Sequence, residues 1–275
     1  MNQPGRAKGQ ALFGALGRMI AAASSPELPD LLRAFLGRDL EFVNFLVLAF
    51  SKDRIPVDLH HWIPKAALKN YQELYFSKAY KLDPFYHAAL RGVEPGVYSL
   101  KDVAPDRFFQ SEYYRSYYHR ARMIDELGIL CPAEGGYTLH LSLGRKRGNG
   151  RFRQSEIRAL RMLEPTVSAL LQIYARDRLK ALSREPAMVA PSSVVSELRE
   201  LTDPGGAPCS LTGREADVTS LILRGHSSGS IGLNLGISVE TVKVHRKHIY
   251  AKLKVSSQAE LFVKLLPMLS EQADA

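Results

Sequence analysis

The chain has 275 residues, 45% of them hydrophobic and 24% charged, which leaves room for two globular domains and excludes a largely disordered protein. The longest purely apolar run, residues 45–50, is too short to cross a bilayer, and no apolar leader with a small-residue cleavage site opens the chain. Only Cys131 and Cys209 are present, without CxxC spacing. A cytoplasmic protein with no membrane span, structural disulfide or zinc site is expected, and the net charge of +9 favours a polyanionic partner.

Residues 1–10 read as a loose basic arm. From 11 to 23, Leu12, Leu16, Met19 and Ile20 recur at helical spacing, and Ser25-Pro26-Glu27 opens a second helix that ends near Gly37. Residues 41–50 change to the composition of a buried strand, with 56–59 as its hairpin neighbour. A helix is expected over 68–80. Asp83-Pro84 is a cap followed by proline at the first helical position, and the helix continues to Leu90. Another helix is expected over 108–120, then strands over 127–131 and 137–143 around the turn 133–136. Together these predict an α/β/α sandwich with an antiparallel sheet, of the PAS or GAF type.

Residues 156–182 carry Ile157, Leu160, Leu163, Val167, Leu170, Leu171 and Tyr174 at three- and four-residue steps, the pattern of one long helix that Pro165 should kink or divide. The stretch 145–184 is strongly basic, and either steers the protein to a polyanion or solvates an exposed helix. Prolines 186, 191, 204 and 208 with Gly205-Gly206 mark a linker. The expected organisation is a sensing domain over 1–182, a linker over 183–210 and a second, all-helical domain over 211–275.

That last domain is read from its caps. Thr212 and Glu215 form a capping box, and Gly225 suits a helix C-terminus. Ser227 starts a short helix that Gly236-Ile237 ends, and Ser238 is the N-cap of a helix through Leu253. On this last helix Val242, Ile249 and Leu253 share one stripe, while Glu240, Lys243, Val244, Lys247, Ala251 and Lys254 gather opposite. Ser257 and Glu260 make a second capping box, opening a fourth helix with Leu261, Leu265 and Leu266. Helix, helix, glycine turn, basic helix is the helix-turn-helix pattern.

Leu211-Thr212-x-Arg214-Glu215, Gly225-x-Ser227-x-x-x-Ile231, Leu235-x-Ile237-Ser238-x-x-Thr241-Val242-Lys243-x-His245 and Ile249-Tyr250-x-Lys252-Leu253 closely resemble the C-terminal domain of LuxR-family transcriptional regulators. The resemblance implies double-stranded DNA as partner. Lys243, Val244 and Lys247 would face the major groove, in agreement with their place opposite the packing stripe. Thr241 and Ser238, near the helix N-terminus, are candidates for phosphate contacts. His245 reads as a structural residue. It further implies a homodimer on a two-fold symmetric operator, paired through the last helix, and activation with RNA polymerase as a further partner. Gly232 departs from the family's usual alanine, at a helix-propensity cost of about 1 kcal/mol.

Nine of the 12 tyrosines fall between Tyr71 and Tyr118, a density that suits both packing and a ring-lined ligand pocket. Tyr71-x-x-x-Tyr75, Asp83-Pro84, Tyr98, Gly128, Pro132 and Gly135 or Gly136 resemble the series in autoinducer-binding domains of LuxR-type receptors. The resemblance implies Tyr71, Tyr75, Asp83 and Tyr98 as ligand-binding residues, with Asp83 accepting the ligand's amide proton; read by itself, Asp83 is equally a helix cap. Tryptophan usually stands at the positions of Tyr71 and Tyr98, and two phenols in their place predict an acyl-homoserine lactone or a more polar metabolite, as in LuxR solos. Trp62 is a lid residue or a packing residue. His60, His61 and Asp58 alternate across a strand and make no metal site. No nucleophile elbow, phosphate loop or cofactor motif is present, so neither enzyme activity nor a cofactor is expected. The alternative is a response regulator whose front half is a phosphoacceptor or protein-interaction domain.

Overall fold

The computed structural model describes residues 4–76, 79–119, 122–185, 194–200 and 211–268. In chain order the elements are α1 (Pro4–Ala21), α2 (Leu28–Leu36), β1 (Asn44–Phe50), β2 (Val57–Trp62), α3 (Lys65–Asn70), α4 (Pro84–Leu90), β3 (Gly96–Ser99), α5 (Leu100–Val103), β4 (Met123–Pro132), β5 (Thr138–Lys146), α6 (Gln154–Arg184), α7 (Val194–Arg199), α8 (Gly213–Arg224), α9 (Ser228–Leu235), α10 (Val239–Leu253) and α11 (Gln258–Met268). Among the described residues no helix is long and apolar enough to cross a membrane. The chain forms two compact units: Met1–Pro64 with Ala89–Asp102 and Met123–Val189, and Lys65–Ala88 with Val103–Arg122 and Ala190–Ala275.

The first unit is built on a five-stranded sheet of order β2-β1-β5-β4-β3, every pairing antiparallel. Strand β1 is buried along its whole length, because both of its faces are covered, and the register separates those faces. Phe45, Val47 and Ala49 lie with Leu139, Leu141 and Leu143 of β5 and Leu127, Ile129 and Cys131 of β4 in one apolar core with α1, α2 and α6. The opposite face carries Leu46, Leu48 and Phe50 together with His140, Ser142, Glu126 and Gly128.

Several boundaries differ from the sequence expectations, each for a physical reason. The basic arm is helical from Pro4, since proline suits the first turn. Helix α6 runs from Gln154 to Arg184 without a break at Pro165. Its Ile157 and Leu160 before the proline, and Val167, Leu170, Leu171, Ala175 and Leu179 after it, all enter the same core, and burial of that order outweighs one lost hydrogen bond. Strand β3, four residues long with glycine at its start, was not among the expected strands and exists by pairing with β4. The linker holds a short helix, α7; residues 186–193 and 201–210 lie outside the described residues, as does the tail from 269.

In the second unit the two helices expected over 68–80 and 108–120 break into short turns of other pitch. Helix α3 ends at Asn70, a π-helical turn covers Tyr71–Tyr75 and a 3-10 turn Ala79–Leu82. The later segment has a 3-10 turn at Phe108–Gln110 and a π-helical turn at Tyr114–Tyr118. Stacked rings accompany each π turn: Tyr71 on Tyr75 at 5.9 Å, Tyr113 on Tyr117 at 5.5 Å and Tyr114 on Tyr118 at 5.5 Å between centroids. Ring packing here overrides regular helical winding. Among the described residues the remainder of this unit is helical, with α8 to α10 following the expected caps.

Candidate functional site

Local chemistry sets the frame of the helix-turn-helix. Glu215 N–H donates to Thr212 Oγ1 at 3.3 Å while Thr212 N–H donates to Glu215 Oε2 at 2.8 Å, so the box that opens α8 is closed in both directions. Burial raises the Glu215 pKa, but the hydrogen bonds from Lys252 Nζ at 2.7 Å and from Thr212 outweigh it and hold the carboxyl below its ordinary value. Helix α8 thereby receives a charged strut from α10. Gly225 and Gly236 end α8 and α9 in the left-handed conformation, at φ 94° and 64°. The second serine cap differs in detail: Ser257 Oγ accepts Glu260 N–H, but the Glu260 carboxylate turns to Ser256.

Helix α10 starts at Ser238, whose Oγ accepts Thr241 N–H at 3.0 Å and lies 2.9 Å from Thr241 Oγ1. Val242, Ile249 and Leu253 are fully buried, whereas Ser238, Thr241, Lys243, Val244 and Lys247 are all exposed. The five residues singled out as DNA-binding candidates therefore share the open side of one helix. Lys243 has only a loose contact with Glu240, 3.8 Å and solvent-exposed, so its charge remains available. His245 is half-buried, as a residue flanking the packed stripe should be.

Tyr71, Tyr75 and Asp83 come together in the same compact unit. Tyr75 Oη donates to Asp83 Oδ2 at 2.7 Å, and Phe85 N–H donates to Asp83 Oδ1 at 2.8 Å. Asp83 is thus both a helix cap for α4, with the Tyr86 N–H as a further donor, and the acceptor of a buried phenol, and its carboxylate keeps one acceptor position. Burial pushes the Asp83 carboxyl up to about 6 against these hydrogen bonds, and burial with the facing carboxylate drives the Tyr75 hydroxyl well above its ordinary value. From Tyr75 the rings continue through Tyr117 (5.7 Å), Tyr113 (5.5 Å) and Phe108 (6.0 Å). That column reaches the DNA-binding helices. Arg107 N–H donates to Gly225 O at 3.0 Å, Ser227 N–H donates to Asp106 Oδ1 at 2.9 Å, and Lys81 Nζ lies 2.5 Å from Glu197 Oε1 in a buried ion pair with α7.

Trp62 and Tyr98 belong to the other unit and are not neighbours there. They stand on the two opposite edge strands, Trp62 across from Phe45 on the helix-covered face and Tyr98 across from Gly128 on the other. The indole of Trp62 lies under the Arg33 guanidinium at 4.7 Å and edge-on to Phe42, while Tyr98 Oη donates to Glu94 O at 2.6 Å. His61 bonds Asp58 at 2.7 Å, and His60 stands edge-on to Phe45.

Sequence reading missed a polar group on the sheet face opposite the helices. Ser142 Oγ donates to Glu126 Oε1 at 2.6 Å, and His140 Nε2 lies 3.7 Å from the same oxygen, all three buried. Burial pushes the His140 ring down to about 3. The alternation Leu139-His140-Leu141-Ser142-Leu143, polar on a strand with no solvent face, was the available signal.

Three comparisons bear on these features. Residues 209–265 match the model of the luxR family of bacterial regulatory proteins. The chain is 34% identical over 181 residues to a putative HTH-type transcriptional regulator in the exeN 3' region of Aeromonas salmonicida, a match spanning 66% of this chain and 91% of that one. It is 41% identical over 81 residues, 30% of this chain and 33% of the relative, to the response regulator protein TodT of Pseudomonas putida. Among solved structures it is similar to the LBD domain of VqsR from Pseudomonas aeruginosa, with a TM-score of 0.52 and 28% identity over 60% of this chain and 96% of that one. With a helix-turn-helix that presents a basic helix, an autoinducer-binding-like antiparallel sheet domain and a relative matched over nearly its whole length, the chain belongs to the LuxR family of DNA-binding transcriptional regulators.

Proposed function

We propose that this regulator is ligand-responsive: a small molecule bound in the region 1–182 alters how residues 211–275 engage a two-fold symmetric operator as a homodimer, the linker 183–210 joining the two. In this reading Lys243, Val244 and Lys247 face the major groove, each lysine serving a base acceptor or a flanking phosphate, and Thr241 and Ser238 meet phosphates. The observation that carries it is Asp83, a carboxylate buried among phenol rings and held in place by Tyr75 and the start of α4, with acceptor capacity to spare. A buried carboxyl group of that kind suits a ligand that donates an N–H or O–H. A phenol rather than an indole at Tyr71, stacked on Tyr75, favours an acyl-homoserine lactone with a more polar body, or another polar metabolite. A phosphoacceptor front half has no support in the fold, because a receiver is built on a parallel doubly wound sheet and every strand pairing among the described residues is antiparallel.

The test is thermal melting and operator binding of the full chain with a panel of acyl-homoserine lactones and polar metabolites. A ligand that raises the melting temperature and shifts DNA affinity in the wild type, but has neither effect on Asp83→Asn, supports the reading. Asparagine still caps α4, so the apo melting temperature should change little. A ligand that acts equally on Asp83→Asn would remove Asp83 from the site.

A further inference from the structure

We propose that the first unit contains a second small-molecule site, separate from Asp83 and its tyrosines, that takes a metabolite bearing a carboxylate or phosphate group. It is a cleft of about 670 Å³ walled by the end of β1 and the loop after it, the β4–β5 turn, the C-terminal end of α6 and residues 89–92. That volume lies within the range of ordinary ligand pockets. The wall is closely fitted where turn and helix meet. Gly135, at φ 71°, approaches α6 so tightly that a Cβ there would stand 2.8 Å from Ser183 Cβ.

Two hydroxyls in this cleft have only each other as partner. Tyr137 is 3% exposed, and its hydroxyl pairs with the buried Ser51 Oγ beside it; two hydroxyls that share one bond leave one O–H proton without an acceptor. A buried hydroxyl proton without an acceptor is costly, and an acceptor held in the cleft would offset that cost. Arg54 is close enough to act on the Tyr137 hydroxyl and is anchored by donating to the Glu185 carbonyl. Arg91 and Lys52 add positive charge, and neither forms an ion pair among the described residues. Burial alone draws the Arg91 pKa below its ordinary value.

One spare hydroxyl proton, a fixed guanidinium and a second, half-desolvated one line the same cleft, a donor set that suits an acceptor-rich anion. Asp53 and Glu185 on the rim leave the cleft only slightly positive. That balance favours a single small anionic group over a polyanion. Neither arginine reappears in the DNA-binding helices, so the site is distinct from the recognition surface.

The experiment is calorimetric titration of the full chain with inorganic phosphate and, separately, with acetate, at low millimolar concentration in 0.15 M sodium chloride. Saturable binding of either probe is expected, and which probe binds names the anionic group. Tyr137→Phe and Arg91→Gln should each weaken it about tenfold, whereas Lys243→Ala/Lys247→Ala on α10 should leave it unchanged. Tyr137→Phe removes one bond, to Ser51, so its apo melting temperature should fall by no more than about 2–4 °C and the variant remains a folded test of the cleft. Absence of saturable binding, binding unaffected by both cleft variants, or binding lost only with the α10 variant would each overturn the proposal.

Discussion

Gly232 shows how one residue's cost in isolation reverses in context. Helix propensity makes it the weak point of α9, and alanine there should gain about 1 kcal/mol. The structure brings the chain entering α10 down onto it: a Cβ at 232 would stand 2.7 Å from Ile237 O, while Ile237 N–H donates to Gly232 O at 3.0 Å. Backbone does not yield as a side-chain tip does. Gly232→Ala is therefore expected to lower the melting temperature, by an equivalent of about 1–2 kcal/mol, and a rise would show that propensity decides after all. A second residue-scale consequence concerns His140, which burial keeps neutral down to about pH 3 against an ordinary value of 6.5. Between those values the unfolded chain binds the proton and the folded chain does not, so stability rises with pH across that window and falls as the pH is lowered through it. Denaturant titrations from pH 6.5 to 4 should show a shallower loss for His140→Gln than for the wild type; parallel slopes would show that His140 does not set the acid limb.

At the scale of elements, the buried Lys81–Glu197 pair joins the short turn after the tyrosine segment to α7, just ahead of the helix-turn-helix. Removing one partner leaves the other charged and desolvated, at about 3–5 kcal/mol, whereas replacing both with apolar residues can be close to neutral. Glu197→Leu and Lys81→Met should each depress the urea midpoint strongly and the double variant should recover most of it; additive losses would mean that the pair is not coupled. No sequence pattern announces this pair, because its members are 116 positions apart. What was legible is chemistry that completes itself within a few residues: the Thr212–Glu215 box, the serine caps at 227 and 238, the glycines at 225 and 236, and the burial stripe of α10. The strands of the sheet centre were legible for the same reason, each being rich enough in apolar residues to declare itself. Strand β3 and the π-helical turns were not, since the first exists by pairing with β4 and the second by ring stacking. Of the ligand candidates, Tyr75 and Asp83 come from the resemblance alone, with a spacing one residue short of the family's, and the hydrogen bond that joins them crosses from the π-helical turn to the start of α4, whereas the placement of Trp62 and Tyr98 on opposite sheet edges depends on strand order.

For the whole molecule the question is where a net charge of +9 acts. The basic stretch 145–184 contributes less freely than its composition suggests. Arg145 is 3% exposed, held by Glu156 at 2.6 Å and laid over the Phe152 ring, and Arg176 faces Glu134 across 3.6 Å. On α10, by contrast, Lys243 and Lys247 stand in solvent on the side that also presents Val244. Each lysine that neutralises a DNA phosphate releases condensed counterions and adds about 0.9 to the slope of log affinity against log salt, while an apolar contact to a base adds nothing to it. Fluorescence anisotropy with an operator duplex between 50 and 200 mM salt would resolve the two roles. Lys247→Ala is expected to flatten the slope by about 1 and to weaken operator and random duplex alike. Val244→Ala should leave the slope intact and reduce the preference for the operator, by about 1 kcal/mol if it meets one thymine methyl. An unchanged slope for Lys247→Ala, or equal losses on both duplexes for Val244→Ala, would mean that α10 lies in the groove with a different face.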